Sequence, residues 1–148
     1  MTDFHFNLKG TWNGSWDGSG QIKTNGLSTV VSVDQSMSGK GIGTNPDELL
    51  LGALASCFLI TLGIRLDKEK IAYDHIAIQT QGVVTKRGGL HFEKVIHQPT
   101  IYLLKPFDET GTDRLEYCIH RAEQDCMIAK AVKGNVQIDI EPKFIAVP

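Results

Sequence analysis

Residues 45–64 read NPDELLLGALASCFLITLGI. Asn45 is a side chain that caps helices, Pro46 suits a first helical position, and Asp47 and Glu48 fall where the positive end of a helix favours acids. Asn45 and Glu48 also have the spacing of a capping box, with Asn in place of the usual Ser or Thr. A helix therefore starts at Asn45 and continues through the uncharged run Leu49–Ile64 before turning polar at RLDKEK (65–70). Being apolar on every side, it has to be covered on every side. A single small sheet covers one face, so the other needs a further layer.

Upstream of this helix the chain is punctuated by glycine. FHFNLKGTWNG (4–14), QIKT (21–24) and LSTVVSV (27–33) read as a three-strand meander turned at Asp17-Gly18 and Asn25-Gly26. SMSGKGIGT (36–44) reads as a flexible, exposed loop. Downstream, IAYDHIAIQTQGVV (71–84) and LHFEKVIHQPTIYLL (90–104) are β-rich runs joined through Gly88-Gly89. Asp108 to Thr112 opens a second helix, on which Leu115, Cys118, Ile119 and Ala122 recur at helical spacing. The helical pattern persists through DCMIAKAVKG (125–134), Gly134 ends it, and NVQIDIEPKFI (135–145) is a final strand. The order βββ-α-ββ-α(α)-β, with its strands in hairpins, predicts an α+β fold with antiparallel sheet in one domain spanning 1–148.

Composition narrows the partners. Charged residues make up 22% of the 148 and the net charge is −2, which gives no electrostatic footing for nucleic acid or an anionic membrane. MTDFHFNLKG (1–10) lacks a basic stretch followed by an apolar one, so no secretory leader is expected. The uncharged run Leu49–Ile64 is shorter than the roughly 20 residues a bilayer requires, and a buried core helix is expected instead. Three cysteines without an export signal point to the reducing cytoplasm, where thiols are structural, metal-binding or redox-active. Cys118, His120 and Cys126 have no standard zinc spacing, so no metal site is expected. By residue type alone Cys57 and Cys126 are either small core residues or reactive thiols, while Cys118 reads as core.

Three stretches resemble the OsmC/Ohr family, thiol-dependent reductases of organic hydroperoxides. TNPDELLLGALASCF (44–58) is similar to that family's first cysteine motif, and HRAEQDCMIAKAVKGNVQI (120–138) to its second. WNGSWDGSG (12–20) resembles the N-terminal hairpin of the OsmC branch. The resemblance implies an OsmC-like fold, with antiparallel sheets around a central helix that carries Cys57, and an intertwined homodimer that supplies the missing cover. It implies that Cys57 is the peroxidatic cysteine and Cys126 the resolving one, with no metal or organic cofactor. The substrate would be an organic hydroperoxide and the electron source a small dithiol or a protein reductant.

Three departures qualify that picture. Asp47 stands where the family's hydroperoxide-resistance branch has a glutamate that assists the cysteine. It lies ten residues before Cys57, about 15 Å along a helix, so only an antiparallel partner helix would bring it to a thiol. Trp16 stands where the branch has an arginine. Arg65 is two turns past Cys57 and rotated by roughly 80° about the helix, out of line for direct contact, which leaves Lys23, Lys40 or Arg121 as substitutes. Met127 replaces the proline that usually follows the second cysteine. Leu50, Leu54 and Phe58, with Trp16, are the expected lining for an apolar peroxide. The alternative reading is a non-catalytic OsmC-like dimer that binds a small apolar ligand.

Overall fold

The helix begins as its first residues dictate. The side-chain oxygen of Asn45 accepts the Glu48 amide hydrogen at 2.8 Å, satisfying one of the backbone donors left open at a helix start. From there α1 spans Pro46–Lys68 in a computed structural model that describes residues 2–148. The reciprocal half of the capping box is absent, because the Glu48 carboxylate takes the Thr44 hydroxyl at 2.8 Å instead. At the other end the amides of Lys70 and Ile71 donate to the carbonyls of Asp67 and Leu66, each at 3.0 Å. This pair of bonds is a Schellman closure, and it places Lys70 at φ 56°, a conformation that glycine adopts without strain.

Contacts divide the chain into two compact units, one reaching to Leu50 and the other Leu51–Pro148, with the boundary inside α1. In the first unit β1 (Lys9–Asn13), β2 (Ser19–Lys23) and β3 (Ser28–Val31) form the expected antiparallel meander. The first strand is shorter than FHFNLKGTWNG and begins only at Lys9. Gly20 is required here, since a Cβ on it would lie 2.0 Å from the Thr11 carbonyl oxygen across the ladder. Residues 36–44 are not the flexible loop expected of their composition. The buried Ser32 hydroxyl donates to the Ile42 carbonyl at 2.7 Å and accepts the Ile42 amide at 2.9 Å. Backbone bonds from Ser32 to Thr44 and from Thr44 to Val30 fasten the loop to β3. Gly41 and Gly43, at φ 68° and 67°, let it double back.

In the second unit β4 (Tyr73–Thr85) and β5 (His91–Leu103) form a long antiparallel hairpin, turned through Gly88 and Gly89 with positive φ as their sequence predicts. Two helices follow, α2 (Glu109–Asp125) and α3 (Met127–Val132). Asp108 caps α2, its side chain accepting the Gly111 amide at 2.9 Å. The chain then returns as β6 (Gln137–Ile140) and β7 (Lys143–Ala146), both parallel to β5. The sheet is therefore mixed rather than purely antiparallel. The crossover through two helices brings the chain back to the same end of β5, which a hairpin cannot do. The final strand is also split. Its register on β5 is continuous, His97 opposite Ile140 and Thr100 opposite Lys143, but Pro142 has no N–H for the ladder.

One row of α1, Leu54, Phe58, Leu62 and Leu66, is buried at i, i+4 spacing. Phe58, Leu62 and Leu66 join Ile101 and Leu103 of β5 and Leu115, Cys118, Ile119 and Ala122 of α2 in a single core. Each leucine, isoleucine and phenylalanine among them contributes about 1.5–3 kcal/mol by leaving water. Gly82 of β4 lets α1 cross close to the sheet, since a Cβ there would meet the Phe92 ring at 2.7 Å and Leu51 at 3.1 Å. The expectation of a helix buried all round is not met within the chain. Only 22% of the most apolar stretch of α1 is buried, and Ile60 and Ile64 are 63% and 51% exposed.

The closure at Lys70 makes a prediction. Lys70→Gly removes the left-handed strain and should raise stability in urea unfolding by about 0.5–1 kcal/mol, whereas Lys70→Ala, which keeps a Cβ, should bring no such gain.

Candidate functional site

Cys57 precedes Phe58 on α1, at the edge of the packed row, and is half-buried. Cys126 is 2% exposed and occupies the joint between α2 and α3. It ends one helix and begins the next. Its amide donates to the Glu123 carbonyl at 3.3 Å, and its sulfur accepts the Ala129 amide hydrogen at 3.4 Å. The sulfur thus does the work of an N-cap oxygen, and α3 starts at Met127 without the expected proline. The thiols of Cys57 and Cys126, far apart in sequence, are neighbours close enough for Cys57 to shift the ionisation of Cys126, and both are free.

The environment of Cys126 distinguishes the two thiols. Burial pushes the Cys126 thiol above its ordinary range, and the hydrogen bond and negative charge of Cys57 push the same way, against the Ala129 N–H that pulls it down. Cys126 is therefore held as the neutral thiol at neutral pH, able to donate S–H to its neighbour. Burial also raises the Cys118 thiol, the Glu69 carboxylate adding to it, in keeping with the core position expected for that residue.

Two struts hold α1 against α2 beside this pair. The Thr61 hydroxyl lies 3.0 Å from the carbonyl oxygens of Cys57, Phe58 and Ala122, so its one proton can tie α1 to the residue four before Cys126. One turn on, Arg65 reaches Asp125 at 3.4 Å and Glu69 at 3.8 Å. Arg121 also reaches Asp125, at 3.8 Å. Asp125 thus gathers Arg121, one of the expected substitute cations, together with Arg65. The Nε of Arg65 is buried without a hydrogen-bond partner.

Against Phe58, the residue after Cys57, lies a buried histidine. His97, on the inward face of β5, stacks on the Phe58 ring with centroids 5.3 Å apart and planes 17° from parallel. Its Nδ1 is 2.8 Å from the hydroxyl of Thr80, which faces it across the β4–β5 ladder. Burial lowers the imidazole's pKa from its ordinary value of 6.5.

A family model described as OsmC-like protein matches residues 39–141. The chain belongs to the OsmC-like family. It is 34% identical over 142 residues to the uncharacterized protein YmaD of Bacillus subtilis, 95% of each chain being covered. Its fold is that of the OsmC-like protein of Mycoplasma pneumoniae, with a TM-score of 0.78 at 16% identity over 97% of this chain and 99% of that one. The fold is likewise that of the organic hydroperoxide resistance protein OhrB of Bacillus subtilis, with a TM-score of 0.71 at 24% identity over 93% and 98%.

In this OsmC-like chain the other residues singled out from sequence are placed as follows. Trp16 is exposed in the turn after β1, its indole N–H donating to the Met37 carbonyl at 2.9 Å. Asp47 is half-buried in the first turn of α1, and Leu50 is half-buried one turn on. Leu54 and Phe58 are fully buried, so they back Cys57 rather than line an open surface. Thr61, Asp125 and His97 were not singled out. A hydroxyl one turn past the cysteine in an otherwise apolar helix was the available signal for Thr61. The alternation Val95, His97, Pro99, Ile101 was the signal for His97.

The lowered His97 pKa sets the sign of a pH effect. The unfolded chain binds the imidazole proton more readily than the fold, so stability falls as pH drops below 6.5, by at most about 1.4 kcal/mol per pH unit, and levels off below the folded pKa. Urea unfolding between pH 7.5 and 5 should show His97→Gln losing stability less steeply than the wild type.

Proposed function

We propose that this OsmC-like chain is a thiol peroxidase of peroxide-stress defence, with Cys57 as the attacking thiol and Cys126 as the resolving one. The observation that carries the reading is the juxtaposition of the two sulfurs, with Cys126 buried and held protonated and Cys57 the more accessible. The Cys57 thiolate attacks the outer oxygen of an organic hydroperoxide. The O–O bond breaks, the alkoxide takes a proton and leaves as the alcohol, and Cys57 becomes a sulfenic acid. Cys126 then attacks that sulfur, water departs, and a Cys57–Cys126 disulfide forms. A dithiol reductant re-opens it by exchange and is itself oxidised to a disulfide. No metal or organic cofactor takes part, and the reducing cytoplasm supplies the thiol poise the cycle needs.

Cumene hydroperoxide turnover with dithiothreitol tests this. Wild type should consume peroxide, Cys57→Ser should fall to background, and Cys126→Ser should accumulate a sulfenic acid on Cys57 that a dimedone probe traps. Absence of both turnover and the Cys57–Cys126 disulfide in the wild type would sink the proposal. The same result would favour the second reading, an OsmC-like dimer that holds a small apolar ligand without turnover. That reading draws on Trp16 at the family's arginine position and on Arg65 and Arg121 being taken up by Asp125.

The exposed row of α1 is read as the contact with a second copy of the chain. Gly52, Ser56, Ile60 and Ile64 recur at i, i+4 spacing, and the Ser56 hydroxyl is satisfied by the Gly52 carbonyl at 2.7 Å. A Cβ on Gly52 would meet nothing within 4 Å. The chain itself therefore gives no reason for glycine there, although glycine costs about 0.5–1 kcal/mol against alanine in a helix. Close approach of a partner helix supplies one. Sedimentation equilibrium should find a dimer for wild type and a monomer for Ile60→Glu. A dimer unchanged by that substitution would place the interface elsewhere.

A further inference from the structure

On the side of the second unit where α2, α3 and β6 meet, a cavity of about 530 Å³ is open to solvent. Its floor is apolar, formed by Ala129, Val136 and Ile138. Its rim is basic, with Lys130, Lys133 and His120 against the single carboxylate of Glu123. Neither lysine has a carboxylate within 4 Å among the described residues, where the ion pairs belong to Arg65, His75, Arg87 and Arg121. The volume lies within the range of small-molecule sites. None of the exposed row of α1 lines this cavity, and neither do Cys57 and Cys126.

We propose that this cavity binds a small amphipathic carboxylate, its chain on the apolar floor and its acid between Lys130 and Lys133. A bare anion would forgo the floor, and a neutral apolar molecule would gain nothing from the two ammonium groups, which are exposed to water. Both halves of the ligand are needed to match the lining. The assignment stands on the cavity alone and is independent of peroxidase activity.

Titration of the isotope-labelled full-length protein with sodium octanoate, followed by amide chemical shifts, tests it. Octanol and inorganic phosphate serve as arms carrying the tail alone and the charge alone. Octanoate should move the amides of Ala129, Gly134, Val136 and Ile138 saturably, with octanol and phosphate binding at least about tenfold more weakly. Lys130→Gln with Lys133→Gln should weaken octanoate by about tenfold or more while leaving the remaining amide spectrum, and hence the fold, unchanged. The assignment is overturned if octanoate shifts map to α1 instead, if phosphate or octanol binds as tightly, or if the double variant retains wild-type affinity.

Discussion

The structure depends on a helix whose apolar surface exceeds what its own chain covers. The row Leu54, Phe58, Leu62 and Leu66 is buried, its last three members against β5 and α2, and that burial fixes the rotation of α1 about its axis. Once the rotation is set, the positions of the remaining side chains follow. Cys57 comes to the edge of the packed face, Thr61 to the groove against α2, and Ile60 and Ile64 to the outside. Turning α1 by one residue to hide the isoleucines would bring out the leucines, because hydrophobic groups encircle the helix. The pairing of Cys57 with Cys126 is thus a by-product of which apolar row the sheet accepts.

Charge is placed beside this pair with equal economy. Asp125 neighbours Cys126 in sequence and draws the guanidinium groups of Arg65 and Arg121 to itself. Arg65 braces α1 against α2, while Arg121 pairs with Asp125 along α2 itself. Cys126, held protonated by its burial, neighbours Cys57.

The fold was legible where local chemistry decides it. The Asn45-Pro46 start of α1, the Asp108 cap and the Gly88-Gly89 turn each act through residues a few positions apart, and each forms as its sequence predicts. What was not legible is what depends on distant partners. The parallel pairing of β6 and β7 with β5 follows from a crossover across two helices. The ordering of residues 36–44 follows from the hydroxyl of Ser32, ten residues before the Ile42 it holds. The two cysteines stood out through their motifs. Thr61 did not, because a threonine in a helix announces nothing until the carbonyl of Ala122 is beside it. His97 was hidden by its strand, where polar residues are ordinary and only the phase of alternation marks the inward one.

Cys126 serves two masters. The same sulfur that faces Cys57 receives the Ala129 amide and so starts α3. Any change in what that atom is bonded to is felt by the backbone of a helix only six residues long, too short to persist by its own propensity. Chemistry at the sulfur and order in the chain beyond it are therefore a single variable. A disulfide at Cys126, as proposed above, would change the acceptor on which that segment begins.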